Sequence, residues 1–347
     1  MPRHLLKLFL FISFLSNAQI QNEYVIAVHG DGIYSLLRKH GLNPAKYYKA
    51  FVALNKKKIS KNDGLFVGET YMLPFNKDVF VKIDTVPNNK IVLKNSKDST
   101  SLIKTEKHIL FGEENALVTI ENEELKGAVY YLISGHGGPD PGAITTYKNK
   151  LISEDEYAYD VTLRLAKRLI SYGAKVYVII KDMNDGIRDE SILEVDYDEV
   201  NHPNKKISKS QILRLKQRTQ AVNSLFLKHT NKYQRLIVTH VDSRSESKNI
   251  DVFFYHHKNS KKGKRLAENI HNSFKQKYAK HQPNRTYTGT VGSRGLYLIR
   301  NTLPAMVYIE LGNIKNAKDQ KRILNYHNRE ALANWISIGL LNDFKTL

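Results

Sequence analysis

Three apolar runs in this chain stop abruptly at a group that can bind a metal or carry a proton. Tyr130 to Ser134 runs into Gly135 and His136 within GHGGPDPGA, Leu236 to Thr239 into His240, and Ala305 to Ile309 into Glu310. Short apolar runs bounded by turn residues read as buried strands, and in open α/β sheets the ligand crevice lies beyond the carboxyl ends of the strands. Residues far apart in sequence can meet there. The pattern leads us to expect a fold that sets three strand ends side by side.

The text around these runs alternates between strand and helix. Helical spacing covers Tyr157 to Ile170, with Tyr157, Val161, Leu165 and Leu169 on one face, and Gly173 stops it before a strand over Val176 to Ile180. Further on come a helix over Leu213 to Leu227, a strand over Val252 to Tyr255, a helix over Arg265 to Lys277 and two closing helices. Such alternation predicts an open, mostly parallel sheet with helices on both faces. Its domain is expected to span 128–347.

With 347 residues the chain has room for roughly two domains. The first residues, MPRHLLK, LFLFISFL and SNAQ, match the basic, apolar and small-residue parts of a signal peptide, 1–18, with cleavage after Ala18. No segment reaches the ~18 to 20 consecutive apolar residues of a spanning helix, so an exported protein without an integral membrane span is expected. There are no cysteines, which excludes disulfides, a thiol nucleophile and a cysteine zinc site. Lys and Arg outnumber Asp and Glu by 54 to 34, a balance that attracts anionic partners. Charge alone does not choose among nucleic acid, anionic membrane and acidic glycan, but the lysines are scattered and no nucleic-acid-binding signature is present, so nucleic acid is the minor reading.

Tyr24 to Pro74 reads as strand, helix, helix, strand, with HGDG as the first turn and helical faces at Ile33, Leu36 and Leu37, then Tyr48, Phe51, Val52 and Leu54. On Tyr24, Val28, Gly30-Asp31, Tyr34 to Leu37, Asn55 and Gly68 to Pro74, the segment 22–76 resembles a LysM domain, the small module that binds N-acetylglucosamine-containing glycans such as peptidoglycan. Gly32 stands where that family usually has threonine. The segment 77–127 reads as a linker with some β character, in VFVKI at Val79 to Ile83 and KIVL at Lys90 to Leu93.

A catalytic zinc site usually takes three protein ligands and leaves one position open. His136 and His240 can supply two. The third is a carboxylate at the helix start near Ser153, where Glu154, Asp155 and Glu156 are rivals on spacing alone. Each residue also has an ordinary reading: a histidine after a strand as a hydrogen-bonded loop residue, acids in a first helical turn as dipole partners, Glu310 as a partner for one of many lysines.

Taken together, these residues resemble the zinc-dependent N-acetylmuramoyl-L-alanine amidases of the Amidase_3 type, over Tyr130 to about Leu324. GHGGPDPGA matches the first ligand block with His136, Glu154 the second ligand, and His240 in VTHVDS the third. Glu310 in YIELGNIKN matches the catalytic glutamate, Asn316 the family's asparagine, and Arg218 and Asn223 the pair that precedes the second histidine block. The resemblance implies Zn²⁺ on His136, Glu154 and His240, with Glu310 as the proton carrier. The bond cut would join N-acetylmuramic acid to the L-alanine of the stem peptide, in the periplasm or cell wall. A non-catalytic wall-binding scaffold and a zinc peptidase are the competing readings.

Departures from the family lie at Val238, Thr239 and Val241-Asp242, and at Lys181, where an arginine is usual. A polar insertion, Asn184 to Gln211, reads as a solvated loop. Gated amidases of this family carry an inhibitory helix after the second histidine, and here the roughly seventy residues between His240 and Glu310 are already taken by other elements. Activity without a protein activator is therefore expected.

Overall fold

The computed structural model describes residues 24–28, 31–40, 42, 44–60, 64–74, 104–243, 246 and 249–346. The signal-peptide segment, His29 and Gly30 of the first turn, and the strands expected at Val79 to Ile83 and Lys90 to Leu93 lie outside these residues. The chain divides into two compact units, the first ending near Ser101 and the second running on to Leu347.

In the first unit, β1 (Tyr24–Ile26), α1 (Ile33–Lys39), α2 (Pro44–Asn55) and β2 (Thr70–Met72) follow in order, and β1 pairs antiparallel with β2. Leu36, Leu37, Phe51 and Tyr71 fill its core. Asn55, which is buried, ties the second helix to the second strand: its Nδ2 donates to the Met72 carbonyl at 2.8 Å and its Oδ1 accepts from the Met72 amide at 2.8 Å. At the first turn Ser35 Oγ accepts from Gly32 N at 2.8 Å, so helix entry is capped from within the helix.

The second unit begins with a hairpin of β3 (Thr105–Lys107) and β4 (Leu117–Thr119). Phe111, Val118 and Leu125 of the stretch read as linker pack into this unit's core beside Leu165 and Leu169. Next come β5 (Ala128–Ser134), the hairpin strands β6 (Ile144–Tyr147) and β7 (Lys150–Ser153), α3 (Glu154–Ser171), β8 (Lys175–Val178) and the short β9 (Ile180–Lys181), β10 (Val200–Asn201) and β11 (Lys205–Lys206). Then follow α4 (Gln211–Lys228), β12 (Tyr233–Asp242), β13 (Phe253–His256), α5 (Lys261–His281), β14 (Thr290–Ser293), α6 (Tyr297–Asn301), β15 (Ala305–Asn313), α7 (Ala317–Leu324) and α8 (Tyr326–Lys345).

Six strands form the main sheet in the order β14-β13-β15-β12-β5-β8. β8, β5, β12 and β15 are mutually parallel, while β13 runs antiparallel to β15 and carries β14 parallel to itself. Every residue of β5 is buried, as expected of a central strand covered on both faces. Its side chains alternate between two cores. Tyr130 and Leu132 face the cluster built with α3, α5 and α8, and Val129, Tyr131 and Ile133 face the cluster with α4 and α6. The sheet type and the two helical layers are those expected from the sequence; β14, α6 and the β6-β7 hairpin were not legible in it.

The reading of Asn184 to Gln211 as a solvated loop is corrected. β10 pairs with β9, and Leu193, Glu199, Asn201 and Ile207 are buried. Arg329, itself wholly buried, donates to the carbonyls of Arg188 at 2.7 Å and Glu190 at 2.9 Å, fastening the insertion to α8. Two apolar anchors and these buried bonds outweigh the polar composition that suggested solvent exposure.

Candidate metal centre

The three strand ends do converge. His136 follows β5, His240 lies near the end of β12 and Glu310 sits in β15, in register with His240 on the neighbouring parallel strand. Residues in register on adjacent strands are ~4.8 Å apart and project to the same side of the sheet. Glu310 is buried.

Glu154 reaches this crevice from the first turn of α3. The β6-β7 hairpin folds back so that the Glu154 amide donates to the Ala143 carbonyl at 2.8 Å, which closes the hairpin base and sets the helix start beside the glycine-rich loop. The Glu154 carboxylate is then held from both histidine segments: Oε2 accepts from Ala143 N and Oε1 from Val241 N, each at 3.0 Å. His240 Nδ1 lies 2.7 Å from Oε1, and His136 Nε2 lies 3.4 Å from Oε2. One donor atom from each of His136, Glu154 and His240 falls within 4.8 Å of the other two. The rivals on spacing alone, Asp155 and Glu156, point instead into a separate cluster with Glu199.

Backbone shape explains why glycines surround His136. His136 has φ of 63°, a left-handed conformation, and Gly137 and Gly138 after it also have positive φ. A Cβ on Gly135 would come within 2.3 Å of the His240 ring, and one on Gly142 within 2.7 Å of the His136 ring. Glycine alone lets both imidazoles into the crevice. The His136 and His240 rings stand edge to face at 5.0 Å, and Tyr308 stacks on His240 at 4.5 Å.

The charge states follow from the surroundings. Burial on its own would raise the Glu154 carboxyl, but the hydrogen bond and charge of His240, the charge of His136 and the Ala143 amide together hold it below its ordinary value. Burial dominates at His240 and lowers its pKa despite Glu154. Each shift favours the form in which that residue type binds a metal, a carboxylate for Glu154 and a neutral imidazole for His240. Two imidazole nitrogens and one carboxylate oxygen, gathered around a space that two glycines keep clear, fit a metal ion.

A family model described as N-acetylmuramoyl-L-alanine amidase, Amidase_3, matches residues 131–342, more than half of the chain. The chain belongs to this family. No curated protein matches it in sequence. Similar solved structures include the CwlD amidase from Clostridioides difficile in complex with the GerS lipoprotein, at 21% identity and TM-score 0.47, covering 63% of this chain and 99% of that one. The catalytic domain of the amidase CwlV from Bacillus (Paenibacillus) polymyxa var. colistinus is similar at 19% identity and TM-score 0.45, covering 63% and 98%. The amidase Ami1 from Mycobacterium smegmatis is similar at 16% and 0.47, covering 64% and 99%.

Other residues of the amidase motif have structural partners. Arg218, buried on α4, donates through Nη2 to the His136 carbonyl, and burial lowers its guanidinium to about 10, still cationic at neutral pH. Asn223 bridges α4 to the loop before β15, donating to the Asn301 carbonyl at 3.0 Å and accepting from Leu303 N at 2.9 Å. Asn316 caps α7 by accepting from Lys318 N and Asp319 N. Lys181 donates to the Pro203 carbonyl at 2.9 Å and so serves the insertion.

Three site residues had no role assigned from the sequence. Asp140 Oδ2 lies 3.1 Å from His136 Nδ1 and 2.5 Å from Arg214 Nη2, and the nearby His136 ring, more than any other neighbour, holds its carboxyl well below the usual range. Arg214 and Arg218 are four apart on one helix face, a spacing that could have suggested a shared target. Glu199 accepts from Gly138 N at 2.6 Å across sixty-one positions, and nothing local in the sequence signals it.

Proposed function

We propose that this protein is an exported, zinc-dependent peptidoglycan amidase that cleaves the amide between N-acetylmuramic acid and the L-alanine of the stem peptide. The observation that carries the reading is the meeting of His136, Glu154 and His240 at strand and helix ends, with Glu310 in register beside His240. Zn²⁺ held by His136, Glu154 and His240 would supply Lewis acidity toward the scissile carbonyl and a more acidic water. Glu310 would take a proton from the attacking water and return it to the amine as the carbonyl carbon–nitrogen bond breaks, a task that needs a carboxylate within hydrogen-bond reach. Asp140 stands 3.1 Å from His136 Nδ1 as its charge partner, and Tyr308 packs the His240 ring in place. Family membership supports the peptidoglycan substrate. No helix among the described residues is long and apolar enough to cross a membrane.

The first unit is proposed to be a LysM-like glycan-binding domain. Its exposed aromatic residues Tyr24, Tyr34 and Phe66 offer faces on which sugar rings can stack. Deleting it should weaken pull-down on insoluble peptidoglycan and leave cleavage of a small soluble muramyl peptide mostly unchanged; equal loss on both would contradict the division of labour. The catalytic unit is proposed to act without a protein activator.

Mass spectrometry of digested, purified sacculi tests the reaction. Stem peptides released with a free L-alanine amino group are expected. Cuts between two amino acids would identify a peptidase, and an unchanged sacculus a non-catalytic scaffold.

A further inference from the structure

The loop that presents His136 is held in an uncommon backbone shape. His136, Gly137, Gly138 and Gly142 all have positive φ, and for a histidine that conformation persists only where the surroundings fix it. Four hydrogen bonds do so. Gly135 N donates to the Thr239 carbonyl at 2.7 Å, Gly137 N to the Asp140 carbonyl at 2.8 Å, Arg218 Nη2 to the His136 carbonyl, and Gly138 N to Glu199 Oε2 at 2.6 Å. The first three come from the parallel sheet, the loop itself and α4, parts that match the family pattern. The fourth comes from the insertion. Ile207, also of the insertion, packs so closely beneath Gly138 that a Cβ there would lie 2.9 Å from it. Glu199 is 5% exposed, so water cannot take its place at the Gly138 amide without entering the core.

We propose that Glu199 is a positioning residue for the metal site: the insertion supplies the carboxyl oxygen that holds Gly138, and through it fixes His136 toward Glu154 and His240. This rests on the zinc reading for its functional consequence but not for the loop contact itself. Glu199 touches no reacting atom. Its removal acts through the aim of the His136 ring, so metal affinity and turnover should suffer while binding of a small substrate changes little. Groups that orient a metal ligand from behind typically matter by 10- to 100-fold in metal affinity.

Two variants of the full chain separate the possibilities. Glu199→Gln keeps an oxygen that can accept from Gly138 N, whereas Glu199→Leu keeps bulk and removes the acceptor. Amide exchange at Gly138, measured by NMR on metal-free protein, should be slow in the wild type and in Glu199→Gln, and markedly faster in Glu199→Leu. Competition with a chromophoric chelator should then show zinc bound roughly 10- to 100-fold more weakly by Glu199→Leu, with kcat reduced, KM for a soluble muramyl peptide near normal, and Glu199→Gln restoring most of the loss. A folded Glu199→Leu protein with wild-type zinc affinity overturns the proposal. If that variant does not fold, the wild type decides: fast exchange at Gly138 overturns it and slow exchange upholds the contact. Loss of exchange protection in Glu199→Leu together with unchanged zinc binding in His136→Ala would leave the loop contact standing and refute the zinc reading instead.

Discussion

Glu154 and Asp155 are neighbours on the same first helical turn, both buried, yet they sit in opposite electrostatic worlds. Glu154 meets two imidazoles and two backbone amides brought from the loop after β5 and from β12, and its carboxyl is held below its ordinary value. Asp155 turns the other way. It accepts from Ser153 Oγ and Glu156 N, but burial beside the like charges of Glu199 and Glu156 pushes it up to about 9. Glu199, across the same cluster, is pushed up to about 8 by burial. One carboxyl is kept charged and ready to bind a cation, the next kept protonated at neutral pH. The difference teaches that the role of a helix-start acid is set by which distant segments fold against it, since intrinsic chemistry and local spacing are nearly the same for both.

The comparison can be broken most severely by exchanging each acid for its amide. Glu154→Gln should abolish sacculus hydrolysis, whereas Asp155→Asn, which only fixes a state the protein already adopts, should leave turnover on a soluble muramyl peptide within about tenfold of wild type on the scale of positioning effects. Equal losses would erase the distinction. A step down in size is Glu310→Gln, in which zinc should stay bound while turnover falls by roughly 10²-fold or more, as for removal of a general base. Zinc lost from that variant would make Glu310 a ligand.

A smaller effect should appear in stability. The unfolded chain releases the Asp155 and Glu199 protons near pH ~4, whereas the folded protein keeps them to about 9 and about 8. Because the native state then binds more protons, stability is greatest at the acidic end of this window and falls as pH rises through it, by up to ~1.4 kcal/mol per pH unit for each group. Glu154 and Asp140, with lowered values, work in the other direction: their contribution is present above the unfolded carboxyl range and is lost on acidification below it. Denaturant unfolding between pH 5 and 8 should therefore show a shallower decline in Asp155→Asn than in wild type. Identical slopes would mean that Asp155 is ionised in the folded protein.

The parallel core of the sheet and the strand-end residues were legible because each rests on a local pattern. Apolar runs end at His136, His240 and Glu310, and glycines flank the first histidine. The choice of Glu154 over Asp155 needed the family resemblance, since three consecutive acids on one turn look alike until the β6-β7 hairpin turns one of them toward the loop. The insertion was misread for a related reason. Its composition is polar, and only Leu193, Ile207 and the buried Arg329 show that it is fastened to the core. The β13-β14 edge escaped because Thr290 to Ser293, TVGS, is too short and too polar to read as a strand without its partner.

The central claim, that Glu154 and not its neighbours joins His136 and His240 around zinc, is tested most directly by zinc content measured on folded, purified variants side by side. The account predicts full zinc occupancy in wild type and Asp155→Asn and little zinc in Glu154→Gln, His136→Ala and His240→Ala. Full occupancy in the Glu154→Gln protein, or its loss in Asp155→Asn, would contradict it.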